Sequence, residues 1–368
     1  MRVIVVGAGL LGASTAFNLA SAGHAVTVIE AATTGGSASR SSFGWVNAQN
    51  KVPRPYYELN ARGLDEHRRL AASLGDGSWL HDGGDFNAGN GEAAAGFRKK
   101  AATMEALGYP VRHVDRAEAA SLEPDMALPE GDDAAFIWYP EEGWLEAAPL
   151  VARLLAAVRS QGGVVHDHTP VATIETSDGR ATGVRLASGE SLSSDAVVLA
   201  AGNGSEALAA TAGVRLVMSP TPGLLIVTSP EAAGPRRIIH FGVLTLRPDG
   251  AGRTLMASRK LDEDLSGDLS RITADSPEVA RLFAAGVAAY PALAGARIEA
   301  ARIGRRSVAA DQMPVTGFAP DVPGLYLLVT HSGATLAAVL GRLAAQEVAG
   351  LPAPELEPYR LTEARNPA

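Results

Sequence analysis

Short apolar runs alternate along the chain with longer stretches in which apolar residues return at helical spacing, the patterns of buried strands and of amphipathic helices. The first run, Arg2 to Val6, predicts a buried strand, Gly7 to Gly12 a tight turn, and Ala13 to Ala22 a helix that puts Ala16, Leu19 and Ala20 at core spacing and stops at Gly23. A second strand, AVTVIE, ends on Glu30. Residues 53–74 predict a helix striped by Tyr56, Leu59, Gly63, His67, Leu70 and Leu74. Further helices are expected at about 96–107, 148–159 and 276–289. Turn residues Asp178-Gly179 and Ser188-Gly189 divide the stretch after Gly163 into hairpin strands, and AVVLAAG reads as a buried strand of a parallel sheet. Near the end, GLYLLV predicts another buried strand, followed by a Thr-His-Ser-Gly turn and a small-residue helix to Ala349.

Composition narrows the classes. Of 368 residues, 46% are hydrophobic and 20% charged, enough for a large core and two domains. A formal net charge of −8 without any basic run argues against nucleic acid and anionic membrane as partners. The absence of cysteine excludes disulfides, thiolate metal sites and a cofactor tethered through sulfur. The first 22 residues lack the basic start and cleavage-type ending of a signal peptide, and nothing approaches the roughly 20 uninterrupted apolar residues of a membrane span. A cytoplasmic protein is expected. His166 and His168 could share a strand face, but no third ligand is in view and no metal is expected.

Strand, G-x-G-x-x-G, helix, strand and terminal acid together form the dinucleotide fingerprint. Gly7 allows the turn, Gly9 close approach of backbone to a pyrophosphate, and Gly12 close packing of helix on strand, while the helix N-terminus offers free N–H groups. Glu30 would accept hydrogen bonds from ribose hydroxyls and would repel the 2′-phosphate of NADP. The motif leaves NAD and FAD open. The next segment, TTGGSASRSSFGWVNAQN, stands where a nicotinamide domain would continue with a helix; it could wrap an extended cofactor, its alternative being a surface loop.

With both ends in hand, the chain resembles the FAD-dependent D-amino-acid oxidase family, the superfamily of glycine oxidase, sarcosine oxidase and D-amino-acid dehydrogenase. Four blocks carry the likeness: VIVVGAGLLGASTAFNLASAGHAVTVIE, SASRSSFGWVNA, AVVLAAGNGS, and RIGRRSVAADQMPVTG with GLYLLVTHSGATLAAVLG. The resemblance implies an α/β protein in which a Rossmann-like FAD-binding domain (1–78, 145–210 and 302–368) is interleaved with an α+β substrate domain of mainly antiparallel sheet (79–144 and 211–301). It implies that Gly7, Gly9, Leu10, Leu11, Gly12 and Glu30 hold the adenosine and pyrophosphate half of FAD, with Ser39, Arg40 and Ser42 on the pyrophosphate or flavin side. Val171 would meet the adenine, Ala201 and Gly202 would lie beside the cofactor, and Gly333, Ala334, Thr335 and Leu336 would face the flavin pyrimidine edge. The family's covalent links use cysteine or an early histidine, and residues 33–55 contain neither, so noncovalent FAD is expected.

The implied activity is hydride transfer to flavin from the carbon bearing the nitrogen of a small amino acid or secondary amine, with oxygen or an electron carrier as acceptor. The family's carboxylate-binding arginine sits in a G-x-R-P pattern. Here Arg306 takes that position, Ser307 and Gln312 replace proline and glycine, and whether Arg305 or Arg306 points inward stays open, as does a surface or ion-paired arginine. His331 could tune the cofactor or touch substrate; His240, with Phe241, could line the substrate pocket. Trp45 reads first as core, and Asn47 could reach the active site. Lys51 reads first as solvent-exposed, although a cation near flavin would favour reaction with oxygen. A carrier-linked dehydrogenase, a flavin-binding noncatalytic partner and, more distantly, an NAD-linked dehydrogenase are the competing readings.

Overall fold

The opening apolar strands assemble as expected into one sheet. The computed structural model describes residues 1–266 and 268–365. Its six-stranded sheet runs in the order Val315–Phe318, Leu325–Val329, Ala196–Leu199, Arg2–Val6, Ala25–Ile29 and Val164–His166. Only the pairing of Val315–Phe318 with its neighbour is antiparallel.

A strand buried on both faces needs apolar residues of both parities, because successive side chains point to opposite sides. Val3 and Val5 therefore join a core made with helices Leu10–Ser21, Ala147–Ser160 and Gly333–Val348. Ile4 and Val6 join Ile174, Val184 and Leu186 of a three-stranded antiparallel sheet on the other face. That sheet's first two strands, Val171–Ser177 and Arg180–Leu186, turn at Asp178 and Gly179, both at positive φ as the dipeptide foretold.

Eight strands form the second large sheet, in the order Ile298–Arg306, Thr221–Thr228, Thr254–Ala257, Leu244–Pro248, Ile238–Phe241, Asp85–Gly89, Ala135–Tyr139 and Arg112–His113. All neighbours are antiparallel except Ile238–Phe241 on Asp85–Gly89. Helix Pro277–Ala289 packs Val279 and Leu282 against Ile226, Leu246 and Met256 of one face. Alternation sends Leu225, His240, Thr245 and Ala257 to the other face, where the cavity lies.

Three expectations need adjustment. The helix expected from about Gly96 begins at Gly91, because Asn90 in extended conformation precedes a Gly-Glu-Ala-Ala start that propagates without interruption. Strand Ile298–Arg306 runs through the expected boundary at residue 302 and pairs along its length with Thr221–Thr228. Leu80–Asp82 and Gly143–Leu145, expected near the edges of the second domain, instead form a small sheet with Trp45–Val46. No helix among the described residues is long and apolar enough to cross a membrane.

Helix Arg54–Leu74 is tied to the start of the C-terminal helix by His67, whose Nε2 lies 2.7 Å from the Ala334 carbonyl. Burial lowers the His67 pKa to about 4. A base depressed in the fold contributes stability that is present above its unfolded pKa near 6.5 and lost as pH falls from there toward 4. That loss is expected to reach about 3 kcal/mol. Urea unfolding at pH 7.5 and 4.5 measures it. His67→Gln should reduce the acid sensitivity by that amount; an unchanged pH slope would refute the assignment.

Candidate functional site

The carboxyl ends of the parallel strands and the free face of the eight-stranded sheet enclose one cavity of about 1890 Å³. At its first end stands the glycine turn. Gly7 has φ +103°, and a Cβ there would lie 2.4 Å from the Ala200 carbonyl oxygen. A Cβ on Gly12 would lie 1.9 Å from the Gly7 carbonyl oxygen. Gly12 does not line the cavity, which agrees with a packing role behind the turn, whereas Gly7, Gly9, Leu10 and Leu11 do.

Glu30 faces this end and accepts the N–H groups of Ala8 at 2.8 Å and Ala32 at 3.0 Å. Carboxylate acceptor sites remain for a further donor. Ser39 Oγ accepts the Leu10 N–H at 3.1 Å, so one first-turn amide is already capped, and Ser42 Oγ accepts the Gly44 N–H at 3.0 Å. Val171, Ala201 and Gly202 also line this region. The exposed Arg40 does not, because the short helix Ser37–Arg40 turns it outward. A glycine cradle without room for a Cβ, a helix N-terminus and a strand-end carboxylate fit the pyrophosphate and ribose of FAD.

The other strand-turn-helix supplies a second helix start. Gly333, Ala334 and Thr335 line the cavity, while Leu336 turns away into the core. Thr335 Oγ1 accepts the Asn47 N–H at 3.1 Å and donates to the Trp45 carbonyl at 3.3 Å. Those bonds hold Trp45 on the cavity wall, where a half-buried indole replaces the expected core tryptophan.

Lys51 likewise departs from expectation. It is half-buried and lines the cavity, and its Nζ donates to Ser332 Oγ at 3.2 Å. Tyr56 OH reaches the same hydroxyl at 2.6 Å. Burial lowers the Lys51 pKa to about 8, with Glu142 opposing and Arg259 assisting. The sequence signals solvent for a lone lysine next to a proline-containing turn; only the chain's return from Ser332 encloses it.

His331 projects into the same space. Desolvation by the surrounding protein, then the charges of Lys51, Arg259 and Arg306, bring its pKa down to about 4, although water still reaches it through the cavity. The imidazole is therefore neutral at pH 7. Among the described residues, neither Lys51 nor Arg259 has a carboxylate within ion-pairing distance, and both line the cavity.

Arg306 lines the cavity and is also ion-paired. Its Nη2 donates to Asp262 Oδ2 at 2.6 Å and its Nη1 to the Pro222 carbonyl, while Asp262 also accepts the Leu224 N–H at 2.8 Å. Arg305 is exposed and also lines the cavity, and its carbonyl accepts from Asn203. His240 lies with Nε2 2.9 Å from Asp85 Oδ2, off the line of a well-formed hydrogen bond, and with Nδ1 3.2 Å from Thr245 Oγ1. Its ring centroid is 4.6 Å from that of Trp45.

Sequence reasoning missed Arg259, Asp262, Asp85, Lys100 and Glu142. A signal existed for Asp85: in DFNAG, polar Asp85 and Asn87 alternate with buried Phe86 and Ala88, which marks a strand with polar groups turned inward. Glu142 sits beside a turn and carried no such mark.

Residues 2–347 match the model of the family DAO, described as FAD dependent oxidoreductase. One of the subunits of opine oxidase from Agrobacterium tumefaciens (strain Ach5) is 26% identical over 367 residues, covering 94% of this chain and 92% of the relative. Glycine oxidase of Geobacillus kaustophilus (strain HTA426) is 27% identical over 380 aligned residues, 98% of this chain and 96% of the relative. The crystal structure of glycine oxidase from Geobacillus kaustophilus is similar with a TM-score of 0.86 at 25% identity over 98% of each chain. Iminodiacetate oxidase from Chelativorans sp. BNC1 shares the fold, with a TM-score of 0.83 at 24% identity over 98% of each chain.

Proposed function

The chain belongs to the DAO family of FAD-dependent oxidoreductases, and from that premise we propose that it oxidises the C–N bond of a small amino acid or secondary amine carrying a carboxylate. The observation that carries this reading is the gathering of Lys51, Arg259 and Arg306 about neutral His331 in the cavity that begins at the glycine turn. Such a cluster suits an anionic group on the substrate. The relatives named for opine oxidase and glycine oxidase support amino-acid-like substrates.

When bound, FAD supplies the hydride acceptor. Gly7, Gly9, Leu10, Leu11 and Glu30 would hold its adenosine and pyrophosphate half, with Ser39, Ser42, Val171, Ala201 and Gly202 beside it. The amides at Gly333 and Ala334 would meet the pyrimidine edge, where the helix dipole favours negative charge. Arg306 would hold the carboxylate with the part of its guanidinium that Asp262 and Pro222 leave free, and the ion pair would fix its aim. His331, uncharged, offers a hydrogen bond without adding a cation. The chain's lack of cysteine, and of histidine in residues 33–55, supports noncovalent FAD.

Acid precipitation of the purified protein is expected to release all flavin into the supernatant. Anaerobic addition of D-, L- and N-alkyl amino acids should bleach the flavin band with at least one member, while amines lacking a carboxylate leave it unchanged. A yellow protein bleached equally by carboxylate-free amines, or by no amine, would overturn the substrate class. Peroxide formation against dye reduction then separates oxygen from a carrier as acceptor.

A further inference from the structure

Trp45, His240, Gln49 and Lys100 line one wall of the cavity, and with Asp85, Asn87 and Glu142 behind them they close a ring of contacts. Trp45 Nε1 donates to Glu142 Oε2 at 2.9 Å, and Gln49 Nε2 donates to the same oxygen at 2.7 Å. Lys100 Nζ donates to Gln49 Oε1 at 3.0 Å and to Asn87 Oδ1 at 3.3 Å. Asn87 Nδ2 donates to Asp85 Oδ1, and Asp85 Oδ2 approaches His240, whose ring returns to Trp45. Lysine thus bridges two carboxamides, each of which holds a wholly buried carboxylate.

A buried carboxylate is costly unless donors surround it. Glu142 receives, besides Trp45 and Gln49 Nε2, the N–H groups of Ala48 at 3.2 Å and Gln49 at 3.0 Å and the hydroxyl of Tyr109 at 3.2 Å. Burial and the Asp85 charge push its pKa up, yet all five partners donate to it, the set that an ionised carboxylate accepts. Asp85 and Glu142, two carboxylates against the one ammonium of Lys100, stand behind a wall that presents the Trp45 indole and the His240 imidazole to the cavity, beside Gln49 and Lys100. An aromatic face backed by negative charge attracts a cation or the positive end of a dipole. Lys51, Arg259 and Arg306, which also line the cavity, attract the opposite end.

We propose that the amine end of the substrate docks against the Trp45–His240 face, with Asp85 and Glu142 as positioning residues that aim this face and make it electronegative. The carboxylate is thereby left to the cations around His331. This rests on the reading of the substrate as an amine bearing a carboxylate, and it adds which end of that molecule meets which wall.

The test uses the flavin-loaded protein under anaerobic conditions and reads perturbation of the flavin band by a matched pair with no hydrogen on the α-carbon, which cannot reduce the flavin: 2-aminoisobutyrate against pivalate. Wild type should bind the amine-bearing member of the pair more tightly. Asp85→Asn, which keeps the shape and removes the charge, should reduce that preference about tenfold, the scale of one partly screened charge interaction. The affinity for pivalate should stay unchanged. Glu142→Gln should act in the same direction, and Asp85→Asn stands alone if loss of an acceptor for five donors prevents folding. Equal weakening of both members, an unchanged preference, or no preference in wild type would each overturn the proposal. Absence of bleaching by any amine would instead strike the substrate reading, and the binding preference would still decide this one.

Discussion

Gly12→Ala is expected to give a colourless protein. Gly12 lies inside helix Leu10–Ser21, where alanine is intrinsically favoured over glycine by up to about 1 kcal/mol. The added methyl would stand 1.9 Å from the Gly7 carbonyl oxygen and 3.4 Å from Ala200 Cβ. Neither the turn nor the strand end can yield without moving the other, because Gly7 is itself fixed against Ala200. Overpacking of this kind costs about 1–3 kcal/mol and here shifts the backbone meant to meet the pyrophosphate. Loss of flavin affinity by at least about 100-fold is expected, close to 3 kcal/mol. Gly96→Ala is the control: it lies inside helix Gly91–Ala106, does not line the cavity, and a Cβ there meets nothing within 4 Å. The flavin-to-protein absorbance ratio after desalting, with a thermal melt of each variant, checks the pair. A yellow Gly12→Ala protein of unchanged melting temperature would refute the packing role.

Arg306→Ala should lower kcat/KM for amino acids by about 100-fold or more while FAD stays bound, since truncating one partner of a charge-assisted pair typically costs about 2–5 kcal/mol. The same change leaves Asp262 with only the Leu224 N–H. Because the arginine side chain is 41% exposed and the carboxylate 5%, screening limits the accompanying stability loss to about 1–2 kcal/mol. Arg306→Lys should not restore activity, since a single ammonium cannot bond Asp262 and Pro222 and still present a planar fork. Steady-state kinetics on flavin-saturated protein decide the matter. Unchanged kinetics in Arg306→Ala, with collapse in Arg259→Gln, would transfer carboxylate binding to Arg259.

Much of the cofactor end was legible because its determinants are local. The glycine spacing, the strand before it, the helix after it and Glu30 lie within one continuous stretch, and steric rules acting over a few residues suffice to order them. Hairpin turns such as Asp178-Gly179 follow from the same short-range preference for positive φ. Of the residues the resemblance pointed to, Ser39, Ser42, Val171, Gly333, Ala334 and Thr335 line the cavity, while Arg40 and Leu336 do not.

The substrate end was not legible in this way, because its contacts join distant parts of the chain. Asp85 reaches His240 because strand Asp85–Gly89 lies parallel to Ile238–Phe241 with Asp85 opposite Ile238 and Asn87 opposite His240. Arg306 meets Asp262 because strand Thr221–Thr228 brings Pro222 and Leu224 between them. Lys51 and Trp45 gain their surroundings from Ser332 and Thr335, near the opposite end of the sequence. The sequence by itself determined the elements, their turns and the cradle for a dinucleotide, through local sterics and hydrophobic period. Only the tertiary structure decided which charges face one another, because pairing register and burial are fixed by the whole core at once, and a shift of one residue would turn strand residues such as Asp85, His240 and Arg306 to the other face.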